Sequence, residues 1–237
     1  MKKKYVLYSD PNREGRNASQ REIPKLTVKD NCHSIEGYQK FNIYGNNVLE
    51  PLDPRLISKS RLAEQLLADL SNSCVSLNDL GCNSGYFSIL AKTFGVITVN
   101  AIDHDFDYLQ ILQSLSKSLG LQINDYHEKA SMYGIKADIT FAFSLMHWIY
   151  SCTDTHGSIR EIIKHLAEIT NVVAVVEWID PKDEAIQRFQ HTSYNNDQHE
   201  EEYTHEVFMR CSSQFFSEIE FMAYTNINTR SFYLLWK

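Results

Sequence analysis

The chain has 237 residues, 43% of them apolar and 22% charged, with a formal net charge of −7. This is the composition of an ordinary globular protein long enough for one large core, and its acidic excess argues against a protein that grips long nucleic acid through many phosphates. No apolar run reaches the roughly 18 residues of a membrane helix, and "MKKK" lacks the apolar stretch of a secretory leader behind it. The 5 cysteines are scattered with no CxxC pair, so neither a disulfide framework nor a zinc site is expected; the expected compartment is the cytoplasm.

In chain order, residues 1 to about 35 are polar and punctuated by "DPNREG" and "REIPK", which predicts an extended, loosely held arm. The aromatic, turn-rich "GYQKFNIYGNNVLEPLDPR" predicts a short hairpin around "YGNN", and residues 1–55 together form an N-terminal arm and lead-in. From Leu56, Leu62, Leu66 and Leu70 recur at helical spacing. An alternation follows. "VSLNDL" reads as a strand and "SGYFSILAKTFG" as a helix; "VITVNAID" is the next strand and "FDYLQILQSLSKSLG" the next helix, with Gly120 as its stop. "LQIND" is a short strand, and "ADITFAFSL" and "VVAVVEW" are buried strands flanking the helix "GSIREIIKHLAEIT". The tail predicts a helix over "YTHEVFMRCSSQF" and a closing hairpin of "EIEFMAYT" and "RSFYLLWK". Repeated βα units imply a doubly wound, mostly parallel sheet with an antiparallel last strand over residues 56–237. Residues 180–202 are polar and long for a connection, which suits either a substrate loop or a solvated acidic one.

The stretch "SLNDLGCNSGYFSILAKTFG" holds 3 of the chain's 9 glycines. A strand, a glycine turn and a helix in that order bring backbone N–H groups close to a ligand. Asp79 closes the first strand and Asp103 closes the second, "VNAID". Ligands of open α/β sheets lie outside the carboxyl ends of the strands, so Asp103 is placed to accept hydrogen bonds from a ribose diol. A dinucleotide fingerprint reads GxGxxG to admit a pyrophosphate. Here Asp79 stands two residues before Gly81, and Asn83 stands between Gly81 and Gly85 where a middle glycine is common. An acid there repels phosphate and suits a cation, such as the ammonium or sulfonium of S-adenosylmethionine.

On these residues, "LNDLGCNSGYFSILA" resembles the first motif of class I S-adenosylmethionine-dependent methyltransferases and "VNAIDHD" their second. "KADITFAFSLMHWIY" is similar to their fourth-strand motif and "NVVAVVEWIDPKD" to the fifth strand. The resemblance covers roughly residues 56–237 and implies a Rossmann-like seven-stranded sheet, with S-adenosylmethionine held by Asp79, Gly81, Asn83, Gly85 and Asp103. It also implies that a basic residue before the glycine stretch, here Arg61, pairs with the cofactor's carboxylate. "GYQKFNIYG", "KSRLAEQLL" and the tail resemble small bacterial methyltransferases of surface-polysaccharide and nodulation-type gene sets. That implies O-methylation of a small molecule or glycan, such as a sugar or sugar phosphate. The alternatives are an RNA methyltransferase, against which the acidic charge stands, and a cofactor-binding scaffold without catalysis.

Ser144 ends the fourth strand, where the resemblance places the methionine part of the cofactor. His147 follows it; an imidazole is the usual base for a hydroxyl proton, and a structural histidine is the alternative. Glu177 ends the fifth strand and is expected to touch the acceptor or polarise a histidine. The histidines at 191, 199 and 205 with the acids at 200–202 match no metal-ligand spacing, so no metal is expected.

Overall fold

The computed structural model describes residues 23–70, 73–152, 156, 158–190 and 202–237. They fall into two compact units, Glu22–Ala130 with Ala137–Phe141, and Ser131–Lys136 with Ala142–Lys237. The first unit opens with an antiparallel sheet of β1 (Lys25–Lys29), β2 (Cys32–Glu36), β3 (Phe41–Tyr44) and β4 (Val48–Pro51), in that order. This corrects the expected loose arm over its last stretch. Asp30 and Asn31 both take left-handed φ angles, 49° and 62°, and close a two-residue hairpin that pairs Lys29 with Cys32. Ile35, Phe41 and Ile43 bury the sheet's inner face. The expected β3–β4 hairpin is present, turning through Gly45–Asn47. Residues 1–22, the rest of the arm, lie outside the described residues.

Next come α1 (Pro54–Leu70), β5 (Ser76–Leu80), α2 (Tyr86–Thr93), β6 (Thr98–Asp103), α3 (Phe106–Leu119), β7 (Asn124–His127) and β8 (Ala137–Ala142). α1 buries Leu56, Ala63, Leu66 and Leu67 along one side. α3 starts at an Asp105 cap that accepts from the Asp107 N–H and stops at Gly120, whose φ is 67°. β6 pairs in parallel with β5 and β7, and β5 with β8.

A polar ladder crosses three of these strands. Asn100 Nδ2 donates to Asn78 Oδ1, and Asn124 Nδ2 donates to Asn100 Oδ1, each at 2.9 Å. The three asparagines are register partners, and Asn78 and Asn100 are buried. A one-residue slip would turn these amides to the other face and unpair them, so the ladder fixes the register.

The second unit holds α4 (Met146–Cys152), α5 (Ile159–Glu168), β9 (Thr170–Ile179), α6 (Glu184–Gln190), α7 (His205–Phe215), β10 (Glu218–Tyr224) and β11 (Arg230–Trp236). Ser158 caps α5 and Thr204 caps α7, each accepting a first-turn N–H. β11 runs antiparallel to both β9 and β10. The sheet order β10-β11-β9-β8-β5-β6-β7 is the expected Rossmann-like, mostly parallel arrangement with an antiparallel end. Two features differ from expectation. α4 is a helix over "MHWIYSC", too short for its periodicity to register, and the polar stretch from 180 begins with α6. Residues 191–201, with His191 and His199, lie outside the described residues. No helix among the described residues is long and apolar enough to cross a membrane.

Candidate functional site

In the first unit, Gly81, Asn83 and Gly85 all take left-handed φ angles, of 70°, 57° and 85°. The turn is tied down at its start by the Gly81 and Cys82 N–H groups, both donating to the Ile102 carbonyl. Gly85 has a second constraint: a Cβ there would collide with Leu112 Cδ1, so its bareness lets α3 pack against the turn.

The two strand-end acids are both buried, at 3% and 5% exposure. Asp79 accepts a 2.6 Å hydrogen bond from Ser88 Oγ and another from the Ser88 backbone. Burial pushes its pKa to about 7; the Ser88 hydroxyl opposes the shift and the Asp103 charge adds to it. Asp103 accepts from the Asn83 N–H at 2.8 Å through Oδ2 and from the Asp105 N–H at 2.9 Å through Oδ1. Burial raises its pKa too, against the pull of His104, whose Nδ1 lies 3.4 Å away. Asp103 thus clamps the glycine turn to the start of α3.

Gln39, which the sequence reading did not single out, accepts from the Tyr86 N–H at 3.3 Å. The first-turn amides of α2 at Tyr86 and Ser88 are therefore met by protein oxygens, from Gln39 and Asp79. A dinucleotide fold would offer those amides to a phosphate. Here they are taken, and two acids stand beside them. Two side-chain oxygens of the turn remain: Asn83 Oδ1 and Ser84 Oγ are buried and have no hydrogen-bond partner among the described residues.

Past Asp103, the exposed Phe106 ring lies 5.3 Å from the His127 ring, and the Glu128 N–H donates to the Asp103 carbonyl. Arg61 is not brought to the turn. It is exposed on α1, while Lys59 and Ser60 are buried and Ser60 Oγ lies 2.6 Å from Tyr86 Oη. Residues two apart on a helix point about 200° apart, so the inward basic residue is Lys59.

The second unit joins two of the expected residues. Ser144, at φ 51°, donates from Oγ to Glu177 Oε2 at 2.8 Å, and Glu177 is fully buried. His147 sits in the first turn of α4, 3% exposed, its ring 5.9 Å from that of Trp148. Trp178, next to Glu177, stacks on Tyr203 at 4.5 Å and 13°, and Tyr150 lies 5.1 Å from Tyr203. Burial, with the Glu177 charge, drives the Tyr203 pKa well above the ordinary phenol range, so its hydroxyl stays a donor.

The sheet order, the glycine turn and the acid closing β6 define the fold of the class I S-adenosylmethionine-dependent methyltransferases, whose cofactor is S-adenosylmethionine. No family model matches the chain. Two curated relatives are ribosomal RNA small subunit methyltransferases G. That of Acholeplasma laidlawii is 37% identical over 86 residues, 36% of this chain and 34% of that protein. That of Rickettsia typhi is 27% identical over 164 residues, 66% of this chain and 83% of that protein. Among solved structures, monomeric WbdD superposes with a TM-score of 0.55 at 16% identity, over 80% of this chain and 42% of that one. Magnesium protoporphyrin IX methyltransferase (ChlM) from Synechocystis PCC 6803 with bound SAH gives 0.55 at 11% identity, over 78% and 85%. The chain thus spans about a third of the Acholeplasma relative and under half of WbdD.

Proposed function

We propose that the chain is an S-adenosylmethionine-dependent methyltransferase acting on an oxygen nucleophile of a small molecule or glycan. One observation carries the cofactor assignment: a preorganised turn whose Asn83, Tyr86 and Ser88 amides are already occupied, flanked by two buried acids and holding two oxygens that are unpartnered among the described residues. Such a site refuses phosphate and fits a donor-rich cation. Asp103 would receive the ribose hydroxyls, with Phe106 and His127 beside it for the adenine, and Asn83 and Ser84 would meet the other end. When bound, S-adenosylmethionine supplies a sulfonium-activated methyl carbon, so that alignment carries much of the rate. His147 is proposed to take the acceptor's proton. Glu177, fully buried and bonded to Ser144, is assigned to positioning. The net charge of −7 supports a small acceptor over a polyanion.

A second reading, methylation of ribosomal RNA, is supported by what the two curated relatives are named for. Calorimetry with S-adenosylmethionine and with NAD tests the cofactor. Binding of NAD alone would overturn the assignment. Methyl transfer to sugars, sugar phosphates and ribosomal RNA, each at low and high salt, then separates the acceptors. Salt-sensitive transfer to RNA alone would replace the first reading by the second.

A further inference from the structure

Trp178 stands one residue before the carboxyl end of β9, the end at which open α/β sheets take their ligands. Tyr203, just ahead of α7, stacks on its indole, Phe208 of α7 stacks on it at 4.9 Å, and Tyr150 of α4 packs against Tyr203. The indole is 2% exposed and locked in place by these rings. Its Nε1, at the ring edge, is buried and has no hydrogen-bond partner among the described residues, and neither has the buried Tyr203 Oη. Packing does not forbid such bonds here, since His205 Nε2 and Tyr233 Oη of the same cluster meet at 2.7 Å. An indole N–H only donates, and the Tyr203 hydroxyl keeps its proton, so the cluster holds two buried donors that lack an acceptor. Buried polar groups are rarely left so, because each loses its water without recovering a bond.

We propose that Trp178 Nε1 and Tyr203 Oη are the donors of a subsite for the methyl acceptor, and that they take its uncharged oxygens: hydroxyl, ether or carbonyl. The subsite rests on the small-molecule or glycan reading above and narrows it, from sugars and sugar phosphates alike to a neutral sugar or polyol. The sign of the local field decides against a phosphate. The charges of Glu177, Asp180 and Asp183 all act on the Tyr203 hydroxyl in one direction, raising its pKa, as a negative potential does. Asp183 is met by Arg230, which leaves Glu177 and Asp180 to set that sign. A neutral oxygen accepts from both donors without opposing the potential, whereas an anionic one would be desolvated against it. Aromatic walls with a few fixed polar atoms are also the usual make-up of sites for small organic ligands.

The test is radiolabelled methyl transfer by the full chain from S-adenosylmethionine to hexoses, to methyl glycosides of hexoses, deoxyhexoses and N-acetylhexosamines, and to hexose 6-phosphates. Tyr203→Phe and Trp178→Phe each keep an aromatic ring and remove the donor. Each should raise KM for a neutral sugar by about tenfold or more and leave S-adenosylmethionine affinity, read by calorimetry, within about twofold. Folding gives a readout that a purely structural role would move the other way. Tyr203→Phe removes a donor that the ligand-free chain leaves unmet, so its urea midpoint should equal or exceed that of the wild type. An unchanged KM in both variants, a lowered urea midpoint for Tyr203→Phe, or a wild-type preference for hexose 6-phosphates over the parent hexoses would overturn the subsite. A wild type that binds S-adenosylmethionine and methylates none of these acceptors would instead overturn the small-molecule or glycan reading itself.

Discussion

Asp79 gives the sharpest energetic test of the site. Its carboxyl is 3% exposed, and burial moves its pKa from near 3.8 to about 7. In the unfolded chain it ionises near 3.8, so between about pH 4 and pH 7 the folded state holds one proton more. The stabilisation is complete below the unfolded value and is lost as pH rises through the folded one. A move from near 3.8 to about 7 corresponds to about 4 kcal/mol. Asp79→Asn cannot ionise and still offers Ser88 an acceptor. It should match the wild type near pH 4 and exceed it by about 2–4 kcal/mol at pH 7. Urea unfolding of the cofactor-free protein from pH 4 to pH 8 reads this directly. Parallel pH curves for the two proteins, or a variant less stable at pH 7, would refute the assignment of a neutral buried acid. A bound cation should draw the carboxylate into its charged form, so wild-type S-adenosylmethionine binding near pH 6 should release a proton. Asp79→Asn should not, as calorimetry in buffers of differing ionisation enthalpy would report.

Asp103→Ala should weaken S-adenosylmethionine binding by about 2–4 kcal/mol, measured by calorimetry; unchanged affinity would mean that Asp103 only clamps the turn. Asp183, buried against Arg230 at 2.8 Å and 2.9 Å, holds a pKa of about 2 because its hydrogen bonds from Arg230 and Thr229 outweigh the upward push of burial. Asp183→Asn should cost about 3–5 kcal/mol in urea unfolding at pH 7 by stranding the Arg230 charge. The ion pair's contribution to the wild type is present above about pH 4 and fades as pH falls towards 2, and the variant should lack that acid-sensitive phase. His147→Ala should lower turnover by about 10²–10⁴-fold in a radiolabelled methyl-transfer assay and spare S-adenosylmethionine affinity. Full retention of turnover and of the pH profile would make His147 structural.

The alternation of apolar runs with helical spacing marks β5, α2, β6, α3, β8, α5, β9, α7 and the closing hairpin in the sequence itself, because burial on a sheet or helix face imposes its own period along the chain. The order of Asp79, Gly81, Gly85 and Asp103 was legible for a similar reason: a strand, a tight turn and a helix are contiguous in sequence. Partners brought from afar left no such trace. Gln39 reaches Tyr86 across 47 positions, and a glycine reserved by the sequence for a ligand turned out also to be one that Leu112 needs bare. The side of α1 that faces inward, and hence Lys59 in place of Arg61, follows from which stripe of the helix is packed, and both lie in the same polar run. The β1–β2 hairpin escaped notice because its strands are short and polar, and the buried residues that hold its sheet lie on β2 and β3. Asn78, Asn100 and Asn124 are ordinary polar letters in sequence and become a register lock only when three strands align. Periodicity records how a residue relates to its own element; which distant group meets it is decided by packing, and packing exists only in the folded chain.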